Sequence, residues 1–135
     1  MRFMMVMIPK VYQSTKVDPN FMPDAKAVEA MTRYNESLQK AGVLLTLDGL
    51  APPSAGARVT FKGGKPSVVD GPFAEAKELI GGYWIIQVKS KEEAVEWARR
   101  CPATEGDIIE VRQIHELSDF PPDVQKAAAG KRLGA

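Results

Sequence analysis

The chain has 135 residues, of which 44% are hydrophobic and 26% charged, and its formal net charge is +1. This balance is typical of one globular domain with its own core, and the small charge argues against direct nucleic-acid contact. No apolar run is long enough to span a membrane, and the apolar start is interrupted by Pro9-Lys10 without a signal-peptide cleavage site. A single cysteine excludes an internal disulfide, so we expect a cytoplasmic protein.

Hydrophobic periodicity predicts an α+β chain in the order β-α-β, hairpin, β-α-β. The predicted strands are 2–8, 43–50, 83–88 and 107–115, the hairpin is 57–62 and 65–69 around Gly63-Gly64, and the helices are 24–41 and 91–100. This order indicates a ferredoxin-like split βαβ sheet with an inserted β-hairpin. We expect one domain over 1–118, followed by a tail over 119–135 that is partly helical or disordered.

Local signals fix the ends and faces of these elements. Asp24 is expected to cap the first helix and Gly42 to end it, while Ser90 with Glu93 predicts a capping box on the second helix. The apolar stripe of the first helix is predicted at Val28, Met31, Asn35 and Leu38. On the hairpin, alternation predicts that Val59 and Phe61 point inward.

The first strand is apolar on both sides, and the strand at 83–88 shows the same property. The two sets of the first strand are Phe3, Met5, Met7 and Met4, Val6, Ile8. Two helices cover only one face of such a sheet, so the other face would be an exposed apolar patch. A homodimer that pairs through this open sheet face is the favoured solution. The alternative is that the long loop at 9–23 and the tail cover the face within one chain.

The segment Asp70-Gly71-Pro72-Phe73-Ala74-Glu75 is the most unusual of the sequence. In one interpretation, Asp70, Phe73 and Glu75 bind a ligand at the mouth of a pocket, with Asp70 as a candidate catalytic base. In the other, Asp70 and Gly71 form a turn, and Phe73 fills the core. The turn is favoured, because Asp, Gly and Pro are the residues that turns require.

Four further residues are candidates for a site. His115, the only histidine, is a candidate catalytic base that would need an orienting partner, and an exposed position at a strand end is the favoured alternative. Arg112, with Glu110, interrupts the last strand, either to pair across a dimer or to line a wet cleft that binds an anion. Tyr34 and Asn35 place polar groups on the first helix, for a pocket or as hydrogen-bonded core residues.

The sequence contains no P-loop, dinucleotide glycine fingerprint, zinc-ligand spacing or nucleophile elbow. It therefore predicts neither a cofactor nor a metal, and it leaves the catalytic residues unknown beyond Asp70 and His115. Cys101 lies before Pro102 at a helix C-terminus, which lacks the positive field that lowers a thiol pKa, so we expect it to be unreactive.

The stretch 69–78, with Asp70-Gly71-Pro72-Phe73 at its centre, and Gly82-Tyr83-Trp84 resemble the DGPF signature of the YCII-related family. The likeness runs from residue 2 to about residue 116. It implies a dimeric α/β-barrel in which ferredoxin-like protomers pack sheet to sheet. Smaller members carry a His–Asp pair thought to serve catalysis, but this chain has Met31 and Lys40 near those positions, so the pair is not carried over.

Two functions follow from these observations. The favoured one is a dimeric small-molecule-binding domain, or an enzyme of unknown reaction, whose cleft lies between the sheet and the first helix under the loop 9–23. The alternative is a regulatory interaction module linked to transcription, because the resemblance implies an association with genes for sigma factors. A membrane partner and direct nucleic-acid binding are not expected.

Replacing Asp70 separates the two interpretations of its segment. If the side chain contacts a ligand, Asp70→Ala abolishes ligand binding or turnover and leaves the fold intact, as read by circular dichroism. A variant that unfolds instead supports the turn.

Overall fold

The structure, a computed structural model, describes residues 1–13, 22–71 and 79–129. Its elements are β1 (Arg2–Ile8), α1 (Ala25–Lys40), β2 (Leu44–Gly49), β3 (Ala57–Lys62), β4 (Lys65–Asp70), β5 (Gly82–Gln87), α2 (Lys91–Arg99), β6 (Ile108–Gln113) and α3 (Pro122–Ala127). Short 3-10 turns lie at Lys10–Tyr12, Pro53–Ala55 and Leu117–Asp119. No helix within the described ranges has the length and hydrophobicity needed to cross a membrane.

The main sheet has four strands in the order β2-β5-β1-β6. Each neighbouring pair is antiparallel, while α1 connects β1 to β2 and α2 connects β5 to β6. This α+β arrangement is compatible with the predicted ferredoxin-like split sheet. The inserted hairpin β3–β4 forms a separate two-stranded sheet, and neither sheet closes into a barrel within the described part of the chain.

The predicted helix ends are largely confirmed. The side chain of Asp24 accepts a hydrogen bond of 2.7 Å from the backbone N–H of Ala27, and Gly42 follows α1 with a φ of +72°. At α2, the Ser90 hydroxyl accepts from the Glu93 N–H at 3.2 Å. The Glu93 carboxylate instead accepts from Lys89, so only half of the predicted capping box is formed.

The core lies on the face of the sheet that α1 and α2 cover. Its buried side chains are Phe3, Met5, Tyr34, Leu38, Trp84, Ile86, Val88 and Ala94. Two hydrogen bonds satisfy the polar atoms of this layer: the Trp84 indole N–H donates to Asn35 Oδ1 at 2.8 Å, and the Tyr34 hydroxyl donates to the Trp97 carbonyl at 2.6 Å. Burial of these apolar groups is the main source of stability.

The prediction is wrong for Val28 on α1 and for two apolar residues of the hairpin. Val28 is 50% exposed, because the first turn of α1, residues 25–29, is exposed throughout. The rest of the predicted stripe is confirmed, since Leu38 is buried and Met31 packs against the core. Val59 and Phe61 are 53% and 77% exposed rather than inward. Their alternation indicates an apolar face of the hairpin, but nothing in the described part of the same chain buries it.

Leu38 and Leu45 offer a matched pair of stability variants, because Leu38 is fully buried and Leu45, at a bulge in β2, is 48% exposed. Leu38→Ala removes core contacts and leaves a cavity, so the free energy of unfolding should fall by about 2–5 kcal/mol. Leu45→Ala should cost less than about 1 kcal/mol. Urea unfolding measures both, and equal losses would contradict this placement of the core.

Candidate functional site

The face of the main sheet opposite the helices combines an apolar centre with ionisable residues at one edge. Met4 pairs with Ile85 on one side and Arg112 on the other, and Val6 lies likewise between Tyr83 and Glu110. Side chains at paired positions share a face. The open face therefore places Met4 and Val6 beside the charged groups of the edge strand β6.

A concavity of about 490 Å³ occupies this face. Its lining residues are Met4, Val6, Ile8, Ile80, Glu110, Arg112, Gln113 and Ile114. The floor is apolar, and Glu110 and Arg112 are the ionisable groups among these residues. An apolar cavity of this size with a few polar groups at its edge is the usual form of a small-molecule site.

Glu110 and Arg112 pair with each other along β6. Nη1 of Arg112 lies 3.3 Å from Oε2 of Glu110, and the two side chains are 74% and 52% exposed for Arg112 and Glu110 respectively. An ion pair this exposed contributes little to stability. A guanidinium carries five N–H donors in a planar fork, so Arg112 can hold Glu110 and the carboxylate of a ligand together. Both predicted roles of the two charges, pairing across a dimer and binding an anion in a cleft, stay predictions.

A second polar pair stands on the other side of the open face. The Tyr83 hydroxyl donates to Oδ2 of Asp48 at 2.9 Å, and this hydrogen bond raises the pKa of Tyr83. Tyr83 therefore remains a protonated donor at neutral pH. Sequence reasoning missed this pair, because Asp48 and Tyr83 meet only through the register of β2 with β5.

Tyr34 and Asn35 lie on the opposite, helix-covered face. Their hydrogen bonds to Trp97 and Trp84 make them core residues, and burial raises the pKa of the Tyr34 hydroxyl. Phe3 and Leu38 fill the space between α1 and the sheet, where the cleft was expected. The contacts of Tyr34 and Asn35 give them a structural role, and their predicted ligand role stays a prediction.

His115 follows β6 and is not among the residues that line the concavity. Its side chain is 75% exposed, its Nδ1 lies 3.8 Å from Oδ2 of Asp119, and its ring centroid is 4.9 Å from that of Phe120. Its carboxylate neighbour is thus Asp119 rather than Asp107, Glu110 or Glu116. A catalytic role for His115 stays a prediction.

The other two nearby carboxylates have structural partners. Asp107 accepts hydrogen bonds from the N–H groups of Lys10 and Thr104, both at 2.9 Å. Burial on its own would raise the pKa of Asp107, but these hydrogen bonds lower it overall. Oε1 of Glu116 lies 2.7 Å from Nε of Arg2, with which it forms an ion pair. Asp107 thereby fixes the start of the predicted loop 9–23, of which residues 14–21 are outside the described ranges.

Asp70 is the exposed last residue of β4, where it pairs with Ala57. The next residue closes the base of the hairpin, since the Gly71 N–H donates to the Gly56 carbonyl at 2.8 Å. A Cβ at Gly71 would stand 1.9 Å from the carbonyl oxygen of Pro53, so only glycine fits. Phe73 and Glu75 lie outside the described residues, and the ligand role of Asp70 stays a prediction.

Comparison with known proteins places the chain in a family. A model of the YCII-related domain matches residues 1–118. The chain belongs to the YCII-related family. It is also similar to an uncharacterized protein of Rhizobium meliloti (strain 1021), with 37% identity over 86 residues, and this match covers 64% of either chain. The resemblance to the YCII-related family is therefore confirmed, whereas the DGPF group within it stays a prediction.

Cys101 of this YCII-related chain packs against the core. Burial, with a smaller contribution from the charge of Asp107, raises the pKa of its thiol from 9.0 to about 11. At neutral pH the native thiolate should be roughly 100-fold scarcer than in the unfolded chain, so a chromogenic aromatic disulfide should react at least that much more slowly with native protein.

The same shift makes stability depend on pH. The unfolded thiol ionises first, so the part of the unfolding free energy that comes from the neutral thiol is lost as pH rises from 9.0 towards about 11. Cys101→Ser should remove this part of the alkaline decline. Rapid labelling of native protein at neutral pH would contradict the placement of Cys101.

Proposed function

We propose that this protein binds a small, largely apolar molecule carrying a carboxylate or a similar anionic group, in the concavity of the open sheet face and as a homodimer. The observation that carries the proposal is the position of Arg112 at the edge of an apolar floor of Met4, Val6, Ile8 and Ile80. The apolar part of a ligand gains free energy by displacing water from the floor. The guanidinium then meets the anionic group in the planar geometry that arginine favours.

The size of the concavity supports a ligand of metabolite dimensions. Its volume of about 490 Å³ falls inside the range of roughly 300–1,000 Å³ that is usual for small-molecule sites. Glu110 restricts the choice of ligand, because a second negative charge beside its carboxylate would be repelled. A molecule with one anionic group and an apolar body fits both constraints.

The dimer supplies the enclosure that one copy lacks. Ile80 and Ile108 are 47% and 39% exposed, and Met4 and Ile85 on the open face are only partly buried. A second copy on this face would remove these groups from water, and roughly 800 Å² per partner makes a stable contact. The dimeric α/β-barrel that the family resemblance implies is one such arrangement, and a single reduced cysteine fits a cytoplasmic protein.

A regulatory interaction module is the second candidate function. The specific observation in its favour is the bare apolar side of the β3–β4 hairpin, where Phe61 is 77% exposed. Exposed aromatic groups of this kind mark protein contacts. The favoured function predicts a bound small molecule, and this alternative predicts a bound protein.

Anilinonaphthalene sulfonate, an apolar body with one anionic group, is a suitable probe of the concavity. Arg112→Met should raise its dissociation constant about 10-fold, since a hydrogen bond to a charged group is lost. Binding of the uncharged analogue N-phenyl-1-naphthylamine should change less than about twofold, because the floor is intact. Fluorescence titration measures both constants.

Arg99→Met is the matched control, because Arg99 is an exposed residue of α2 on the helix-covered side and its loss changes the net charge equally. It should leave both constants within about twofold. Equal weakening by the two substitutions would show that net charge, rather than the concavity, binds the probe. Unchanged sulfonate binding in Arg112→Met would refute the proposed role of this arginine.

A further inference from the structure

The β3–β4 hairpin has one apolar side. Val59 pairs with Val68, and Phe61 pairs with Pro66, so these four side chains share a face, which we refer to as the apolar side of the hairpin arm. Ala57 and Asp70 pair on the same face at the base of the arm. The opposite side carries Arg58, Thr60, Lys62, Lys65 and Ser67, together with Val69. The hairpin is therefore amphipathic, as is usual for a sheet that packs on something with one face.

The arm is a formed element whose apolar side is bare. Every residue of β3 and β4 is exposed, with Phe61 at 77% and Val68 at 66%. Gly63 and Gly64 have φ of +61° and +77°, which is the backbone of a tight hairpin turn. A two-stranded hairpin on its own is marginally stable in water, so the regular pairing of this arm requires a surface to cover its apolar side.

The open sheet face is a surface of matching shape and chemistry. Two six-residue strands make an arm about 20 Å long and about 10 Å wide, given about 3.4 Å per residue and about 4.8 Å between strands. The main sheet has four strands of six or seven residues, so an arm covers half of it along its full length. The remaining half stays available for direct contact between two sheets.

We propose that, in the dimer, the arm of each copy lies with its apolar side on the open sheet face of the other copy, so that Phe61 of one chain closes the concavity of its neighbour. The binding site is then shared between chains and incomplete in one. This inference rests on the proposed function, because it specifies what completes the site described there.

The area involved is that of a stable dimer. Four apolar side chains of the arm cover roughly 400 Å², and the sheet surface beneath them loses a similar area. Each copy contributes one arm and one sheet face, so each buries roughly 800 Å², the typical amount for a specific interface. The basic side of the arm, with Lys62 and Lys65, would then face water.

Complementation between two defective chains tests whether the arm acts in trans. Phe61→Asp damages the arm and Arg112→Met damages the concavity, and each homodimer should bind anilinonaphthalene sulfonate at least about 10-fold more weakly than the unaltered protein. Heterodimers isolated through two different affinity tags contain one intact concavity under one intact arm. They should bind one probe per dimer with the unaltered dissociation constant, against two in the unaltered dimer.

The control is Thr60→Asp, which places the same charge on the same strand but on the opposite side of the arm. It should leave probe binding within about twofold. Circular dichroism of each variant separates damage to the arm from loss of the fold, and Phe61→Ala gives a milder version of the arm defect.

Each other outcome overturns the inference in a distinct way. Heterodimers that bind as weakly as the two homodimers would show that the arm folds onto its own chain. Normal binding by Phe61→Asp, with Arg112→Met defective, would leave the proposed function standing and assign the arm to another partner. Failure of the unaltered protein to bind the probe, or normal binding by Arg112→Met, would refute the proposed function itself.

Discussion

The fold depends on one constraint: β1 is apolar on both of its faces, but the connections of the sheet bring helices to only one. The two crossovers, β1 to β2 and β5 to β6, run in opposite directions from strands of opposite orientation. Because both are expected to be right-handed, they place α1 and α2 on the same side. Phe3 and Met5 are covered there, whereas Met4 and Val6 line the concavity of the opposite face, where Met4 is only partly buried.

That second face carries the concavity on which the proposed function rests. Val6 and Ile8 are already buried within one copy, while Ile80 and Ile108 stay 47% and 39% exposed, and the edge strand β6 adds Glu110 and Arg112 beside them. Apolar side chains on such a surface are stabilised when a binding partner removes them from water. In the two proposals, the partners are a small ligand in the concavity and a second copy of the chain over the rest of the face. The two proposals share one physical cause, because the exclusion of water that closes a dimer would also strengthen the contact of Arg112 with an anion.

Local sequence signals were enough to predict the helices and strands, but they could not predict which distant side chains pair. Asp24 and Gly42 mark the ends of α1 through backbone hydrogen bonding and φ, which are properties of a few adjacent residues. The partnership of Asn35 with Trp84, and of Asp48 with Tyr83, depends on how distant segments meet. Alternation likewise predicted that the hairpin has an apolar side. It could not predict that Phe61 stays 77% exposed, because the burial of a side chain depends on which distant segments pack against it.

The most direct test of the account is the mass of the native particle. Sedimentation equilibrium at micromolar concentration measures it without a ligand or a label. If the open face requires a second copy, the particle has twice the 14.8 kDa of one chain, and this mass persists on dilution as long as the interface buries roughly 800 Å² per partner. A particle of 14.8 kDa at micromolar concentration would contradict the account.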